Sequence, residues 1–268
     1  MKTLSRIYVS LILIFLYAPI AVMIFFSFNS SRSVWRFSGF SLRWYQSLAV
    51  NTGMLTALEH TLIIAILSAV ISTVLGTAAV IGIAAFKSRA ARSATMSVTQ
   101  IPMMNADIVT GISLMLLFIF AGRFLRFNES LGFLTVLMAH ITFNLPYVIL
   151  SVSPKLRQTD PHLAEAASDL GCTPFSAFFK VVLPSISTGI VTGFIMAFTL
   201  SLDDFVISYF TCGHYQTLPI VIFNMTKKSV RPDTYALSTL IFITVFVLLV
   251  LYNLLQSRNE AKPEKQRR

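Results

Sequence analysis

Long stretches of this chain carry no charge, and the polar positions gather in short islands between them. Charge-free windows run over 7–31, 60–86, 130–154, 181–202 and 234–257, while 94–122 contains a single charge, Asp107. A helix needs about 20 mainly apolar residues to cross a hydrocarbon core. The pattern therefore predicts six spanning helices, near 8–28, 61–85, 98–121, 131–152, 181–208 and 236–257. The window 205–226 is also uncharged, but Gly213, His214, Gln216 and Pro219 interrupt it, which predicts a turn and a surface segment beyond the fifth helix. Lys2 and Arg6 precede the first apolar run as they would in a secretory leader. That run is close to span length, contains Pro19 and has no convincing small-residue cleavage site, so a retained first helix is expected.

Composition agrees with the pattern. Of 268 residues, 55% are hydrophobic and only 12% charged, and the mean hydropathy is +0.75. A soluble domain carries about a quarter charged residues. With 23 Phe and 10 Met there is too little polar surface to cover a water-soluble core. A soluble enzyme, a disordered chain and a disulfide scaffold are excluded, leaving an all-α, polytopic membrane protein in one domain, 1–268. The net charge of +10 would suggest nucleic acid in a soluble protein. Here it reports orientation, because Lys and Arg concentrate on the cytoplasmic side. With both termini inside, thirteen of the 21 basic residues fall in inner segments and eight in outer ones, favouring N-in and C-in.

Catalytic constellations are missing from the sequence. No Gly precedes a Lys, so there is no phosphate-binding P-loop, and no HExxH, GxSxG or paired-cysteine metal motif occurs. The four His are scattered; His140, in the run HITFNLP, reads either as a proton relay or as a residue satisfied by packing against neighbouring helices. Cys172 and Cys212 are expected on opposite sides of the membrane, without a disulfide.

The loop between the fourth and fifth predicted spans, 154–184, is the most informative segment. Asp160 before Pro161 suits an N-cap followed by Pro at N1. A helix through HLAEAASDL then stops at Gly171, suited to a left-handed C′ position. Thr173 before Pro174 caps a second helix in the same way, leading towards Pro184. The result is a rigid hook. Leu163, Ala166, Ala167 and Leu170 recur at i, i+3, i+4 and i+7, giving one apolar strip lined by small residues. That strip could pack on the protein's own helices or dock a partner, and composition does not decide between them.

Glu165-Ala166-Ala167, then Gly171, then Val181-Val182-Leu183-Pro184 resemble the EAA loop of binding-protein-dependent ABC importer permeases, with Val181 where Ile is usual. SFNSS, RWYQSL, ADIVTGISL, HITFNLP and FTLSLDDFVISYF extend the likeness along nearly the whole chain, to polyamine (spermidine/putrescine) permeases of the C-type subunit. Ala106 before Asp107 and Thr188 after Leu183-Pro184 depart from that pattern. The resemblance implies a type I ABC importer permease in a bacterial inner membrane. It also implies a homologous permease partner, two ATPase subunits and an external substrate-binding protein. ATP and Mg would be bound by the ATPase, with no cofactor on this chain. Glu165, Ala166, Ala167, Gly171, Leu183 and Pro184 would couple to the ATPase.

Three acids lie within the predicted spans: Asp107, near mid-depth of the third, and Asp203 and Asp204, near the outer end of the fifth. An Asp at a helix centre costs about 2.5–3.5 kcal/mol on insertion scales, so each should face protein interior or a watery path. Thr192, Thr199 and Asp203 share a face, and Ser201 lies one turn before Asp204. Helix–helix hydrogen bonding is the competing account. A polyamine carries several ammonium groups on an apolar stem, and separated carboxylates with aromatic faces suit it. Trp44 and Tyr45 could supply such faces or simply anchor the chain at the interface. Other cationic or metal-chelate solutes, and an ion-coupled carrier, are the alternatives.

Overall fold

The computed structural model describes residues 2–31, 36–124, 131–160, 162–228, 234–240, 242–244, 246–247 and 250, with side chains from residue 6 onward. Among these residues the structure is helical, with one isolated bridge between Asn29 and Phe40 and no strand. The chain divides into two compact units, Met1–Leu55 with Ile222–Arg268, and Thr56–Val221.

The first unit opens with α1, Lys2–Ser27. Its apolar side chains point outward: Phe15 is 81% exposed and Ile14 69%. Water would penalise such a surface and hydrocarbon would not. Asn29 organises the turn that follows, its Nδ2 donating to the Arg36 carbonyl (2.8 Å) and its Oδ1 accepting from the Ser38 N–H (2.9 Å). The short helix α2, Arg43–Val50, comes next. In the C-terminal part of this unit residues 234–240 are helical, with Ala236, Leu237 and Thr239 buried. The remainder of the predicted span 236–257, and the basic tail 258–268, lie largely outside the described residues.

The long helix α3, Thr52–Ala84, leads into the second unit. There follow α4 (Arg89–Met104), α5 (Asp107–Phe124) and α6 (Phe133–Gln158). The predicted third span, 98–121, is not one helix. Asn105 closes α4 with extended backbone (φ −81°, ψ 148°) and α5 restarts at Asp107. An acid in the first turn of a helix is favoured by the helix dipole, so Asp107 marks a start rather than a helix middle. By length and apolarity, four helices among the described residues can cross a membrane: Arg6–Ser27, Thr52–Ala84, Asp107–Phe124 and Phe133–Gln158. The bent pair Pro174–Ser185 and Ser187–Asp203, which meet at 66°, makes a fifth when counted as one broken span.

That bent pair is built from α8 (Pro174–Ala177), a π-helical turn over Phe178–Val182, α9 (Leu183–Ser185) and α10 (Ser187–Asp203). Pro184 has no N–H to continue the ladder, and the π turn before it already shifts the pairing, with Leu183 N–H reaching the Phe178 carbonyl. The chain bends at Ile186 (φ −99°, ψ 3°). The predicted span 181–208 is therefore interrupted at both ends: α10 begins at Ser187, and a second break at Asp204 precedes α11, Val206–Thr211.

The core of this unit is a seam between α3, α6 and α10. Val148, Ile149 and Val152 of α6 are buried with Ala69 and Val80 of α3 and with Ile186 and Ala197. Gly189, Gly193, Ala197 and Ser201 repeat every four residues along the buried face of α10, which lets its backbone approach α6 closely. On the other side of Val148, a Cβ added to Gly76 would lie 2.6 Å from Val148 Cγ1. Gly76→Leu is expected to overpack the seam by about 1–3 kcal/mol. It should lower the melting temperature and yield of the detergent-purified permease, and an added Val148→Ala should recover part of the loss. A Gly76→Leu protein that melts like the wild type would show that the seam is looser than this packing implies.

Candidate coupling hook and solute path

The hook starts later than Asp160 would suggest. Asp160 accepts the His162 N–H on Oδ1 (2.9 Å), an Asx turn, and His162 takes the cap position of α7, Leu163–Asp169. Its imidazole Nδ1 sits 2.8 Å from Glu165 Oε2 on the exposed face. The Glu165 hydrogen bond and charge, with Asp160 beyond, raise the His162 pKa. Gly171 has φ +86°, the left-handed region that favours glycine. There its N–H reaches the Ser168 carbonyl (2.9 Å) and the Cys172 N–H reaches that of Ala167 (3.0 Å), closing α7. Thr173 is extended (φ −66°, ψ 154°) and its Oγ1 accepts from the Ser176 N–H (3.3 Å), with Pro174 at the first position of α8.

The apolar strip expected on α7 is split between two environments. Ala167 is turned inward at 6% exposure, and Leu163 is half-buried. Glu165 and Ala166 are exposed, Leu170 is 87% exposed and Phe175 at the start of α8 is 75% exposed. Leu183 is half-buried and Pro184 exposed at the far end of the hook. One residue thus anchors α7 to its own chain, while a charged and apolar surface of Glu165, Ala166, Leu170 and Phe175 is left open. Cys172 and Cys212 are both free thiols.

The six residues expected along a solute path do not share one environment. Asp107 and Asp203 are exposed. Asp107 stands at the start of α5. Asp204 is different. Its side chain is 8% exposed, with Oδ2 3.4 Å from His140 Nε2. It accepts the N–H groups of Ile207 (Oδ1, 3.2 Å) and Ser208 (Oδ2, 2.8 Å), so it caps α11. His140 Nε2 is also 2.9 Å from Ser208 Oγ. The chain leaves α10 at Asp204 with ψ 119°, which turns this carboxylate inward while Asp203 stays outward.

Ser201 is buried too. Its hydroxyl pairs with Ser68 Oγ (2.9 Å) and accepts from Asn144 Nδ2 (2.8 Å). Trp44 is 7% exposed and donates Nε1–H to the Asn29 carbonyl (2.6 Å), and the Tyr45 hydroxyl pairs with Ser27 Oγ (2.7 Å). Both rings hold the turn after α1. The structure also brings in residues the sequence reading passed over: Asn144, Ser68 and Ser208. Asn144 lies one turn after His140, so the pair could have been read as a polar face on an apolar helix. Asn144 Oδ1 and His140 Nδ1 have no hydrogen-bond partner among the described residues.

Residues 76–264 match the family described as binding-protein-dependent transport system inner membrane component. The chain is 38% identical over 256 residues to the putrescine transport system permease protein PotI of Escherichia coli K12, covering 94% of this chain and 89% of that one. It is 36% identical over 246 residues to the spermidine/putrescine transport system permease protein PotC of Haemophilus influenzae, covering 91% and 93%. Among solved structures, a bacterial ABC transporter involved in the import of the acidic polysaccharide alginate has a similar fold. Its TM-score is 0.72 at 16% identity, over 96% of this chain and 94% of that one.

Proposed function

The chain belongs to the family of binding-protein-dependent transport system inner membrane components, and on that premise we propose that it forms half of the translocation path of an ATP-driven importer for polyamines. The observation that carries the cargo reading is the 38% identity to a putrescine permease over 94% of the chain. Two exposed carboxylates at helix ends, Asp107 and Asp203, fit that cargo. A flexible polycation needs several weak, separated contacts rather than one deep well, because it must also leave.

In this reading a second, homologous permease completes the path. An external binding protein delivers the cargo, and two ATPase subunits bind ATP and Mg and hydrolyse it. Both termini and the hook lie in the cytoplasm. The ATPase grips Glu165, Ala166, Leu170 and Phe175. Its closure moves α7, and Ala167 and the Gly171 turn pass the motion into α8 and, through the bend at Ile186, into α10. Asp204, with His140 and Ser208, fixes the break at the other end of α10 and so positions Asp203. Ser201 serves the α3–α6–α10 seam, and Trp44 and Tyr45 hold the turn after α1; these three residues have structural roles and are not counted along the path.

Asn has nearly the volume of Asp, so Asp→Asn isolates charge. Asp107→Asn and Asp203→Asn should each lower initial putrescine and spermidine uptake several-fold, and the double variant further, at matched membrane levels of the assembled complex. Removing one ion contact worth about 1 kcal/mol slows a step about fivefold. Uptake should be measured in cells whose own polyamine importers are deleted and which express the whole transport system. Wild-type rates in the double variant would take both residues off the path, and no polyamine uptake in the unmodified system would remove the cargo assignment.

A further inference from the structure

We propose that the cleft between α4 and α6 holds the phosphate headgroup of an anionic phospholipid. The inference rests on the membrane reading above but not on the cargo. The cleft measures about 700 Å³. Arg89 and Arg92 enter it from the first turn of α4, and Arg157 from the last turn of α6. No carboxylate lines it, and among the described residues none of the three guanidinium groups makes an ion pair. Ser93 and Ser97 line it from α4, and Ser153 comes from α6. Ser153 is 7% exposed, and its hydroxyl has no hydrogen-bond partner among the described residues.

Three like charges around one space repel one another, and an anion placed among them removes that repulsion. The planar fork of Arg matches phosphate oxygens, and the positive end of α4 adds to the attraction. The remainder of α4 selects a lipid as the source of the phosphate. No residue of α4 is buried, and beyond the basic turns Val98 is 63% exposed, Ile101 60% and Met104 87%. A helix that is basic at one end and openly apolar at the other matches a headgroup above an acyl chain. Met96 adds an apolar wall to the cleft itself. Basic pockets between membrane helices bind anionic headgroups for these reasons. The same charge repels a polycation, so the cleft stands off the proposed cargo route.

The test is native mass spectrometry of the purified importer complex, released from micelles doped equally with phosphatidylglycerol and phosphatidylcholine. Phosphatidylglycerol should be retained selectively. Arg92→Gln and Arg157→Gln should each weaken its retention about fivefold, the worth of one basic residue near an anionic surface. Arg→Lys at the same positions should keep most of it, and excess inorganic phosphate should not displace it. If one Gln variant fails to assemble, the other Gln variant and the Lys variants make the comparison. Equal retention of the two lipids, or retention indifferent to the Gln variants, would overturn the proposal. Displacement by inorganic phosphate would make this a site for free anions and overturn the lipid assignment. Loss of the ATPase subunits from Arg92→Gln with lipid retention unchanged would make it a subunit interface, again overturning it.

Discussion

Asp204→Ala will cost this permease its assembled state, whereas Asp203→Asn will cost it transport alone. The two residues are adjacent in sequence and opposite in environment. The Asp204 carboxylate caps α11 through the N–H groups of Ile207 and Ser208 and lies 3.4 Å from His140. Alanine would leave those donors without their acceptor and remove the carboxylate beside a buried imidazole, which would keep only Ser208 Oγ at 2.9 Å. Loss of a cap and of a buried hydrogen-bonded partner together amounts to about 2–4 kcal/mol. The expected result is a several-fold drop in complex recovered from membranes and a lower melting temperature. Asp204→Asn keeps an acceptor oxygen for α11 and should recover much of that loss. Asp203 is exposed and supports no comparable network, so its Asn variant should assemble at wild-type levels. Normal thermal stability of Asp204→Ala would show that the α10–α11 break is held by something other than this carboxylate.

Gly171→Val will lower cargo-stimulated ATP hydrolysis and transport together. At φ +86° a Cβ meets the backbone unfavourably, and a β-branched residue more so. An ideal Cβ there would have no neighbour within 4 Å. The penalty is therefore one of backbone conformation alone. A strain of about 1–2 kcal/mol depopulates the native turn about five- to thirtyfold. It falls on the link between α7, where the ATPase is proposed to grip, and α8, which leads into α10. Cargo-stimulated ATPase activity and uptake should both fall about tenfold, while the external binding protein binds cargo as before. Gly171→Asn is the control, because Asn tolerates the left-handed region and should retain most of the coupling. Full coupling in Gly171→Val would mean that the hook's turn is not what carries the motion.

The hook was the most legible part of the chain because its signals are local. A Thr before Pro and a Gly after a short amphipathic run each have a single low-energy geometry, and Thr173 and Gly171 adopt them. Asp160 misled by two residues, since an Asx turn and an N-cap draw on the same side-chain oxygen. The spans were legible as apolar mass, but not where they break. Hydropathy is continuous across Asn105 and Ala106, and only Pro102 and Asp107 hint that one helix ends and another begins. The inward turn of Asp204 and the outward face of Asp203 are set by a single ψ at a helix end, which no periodicity encodes. Trp44 read as a candidate aromatic face. Its burial depends on the Asn29 carbonyl fifteen residues away, a tertiary contact with no local signature.

The central claim is that this chain moves a polycation through the membrane on energy delivered at its cytoplasmic hook. It is tested most directly in proteoliposomes containing the whole importer, with the binding protein and labelled putrescine or spermidine on one side and ATP with Mg on the other. The account predicts polyamine accumulation that requires ATP on the hook side, stops when a non-hydrolysable analogue replaces ATP, and falls about tenfold in Gly171→Val. Uptake that proceeds without ATP and follows an imposed proton or sodium gradient would contradict it.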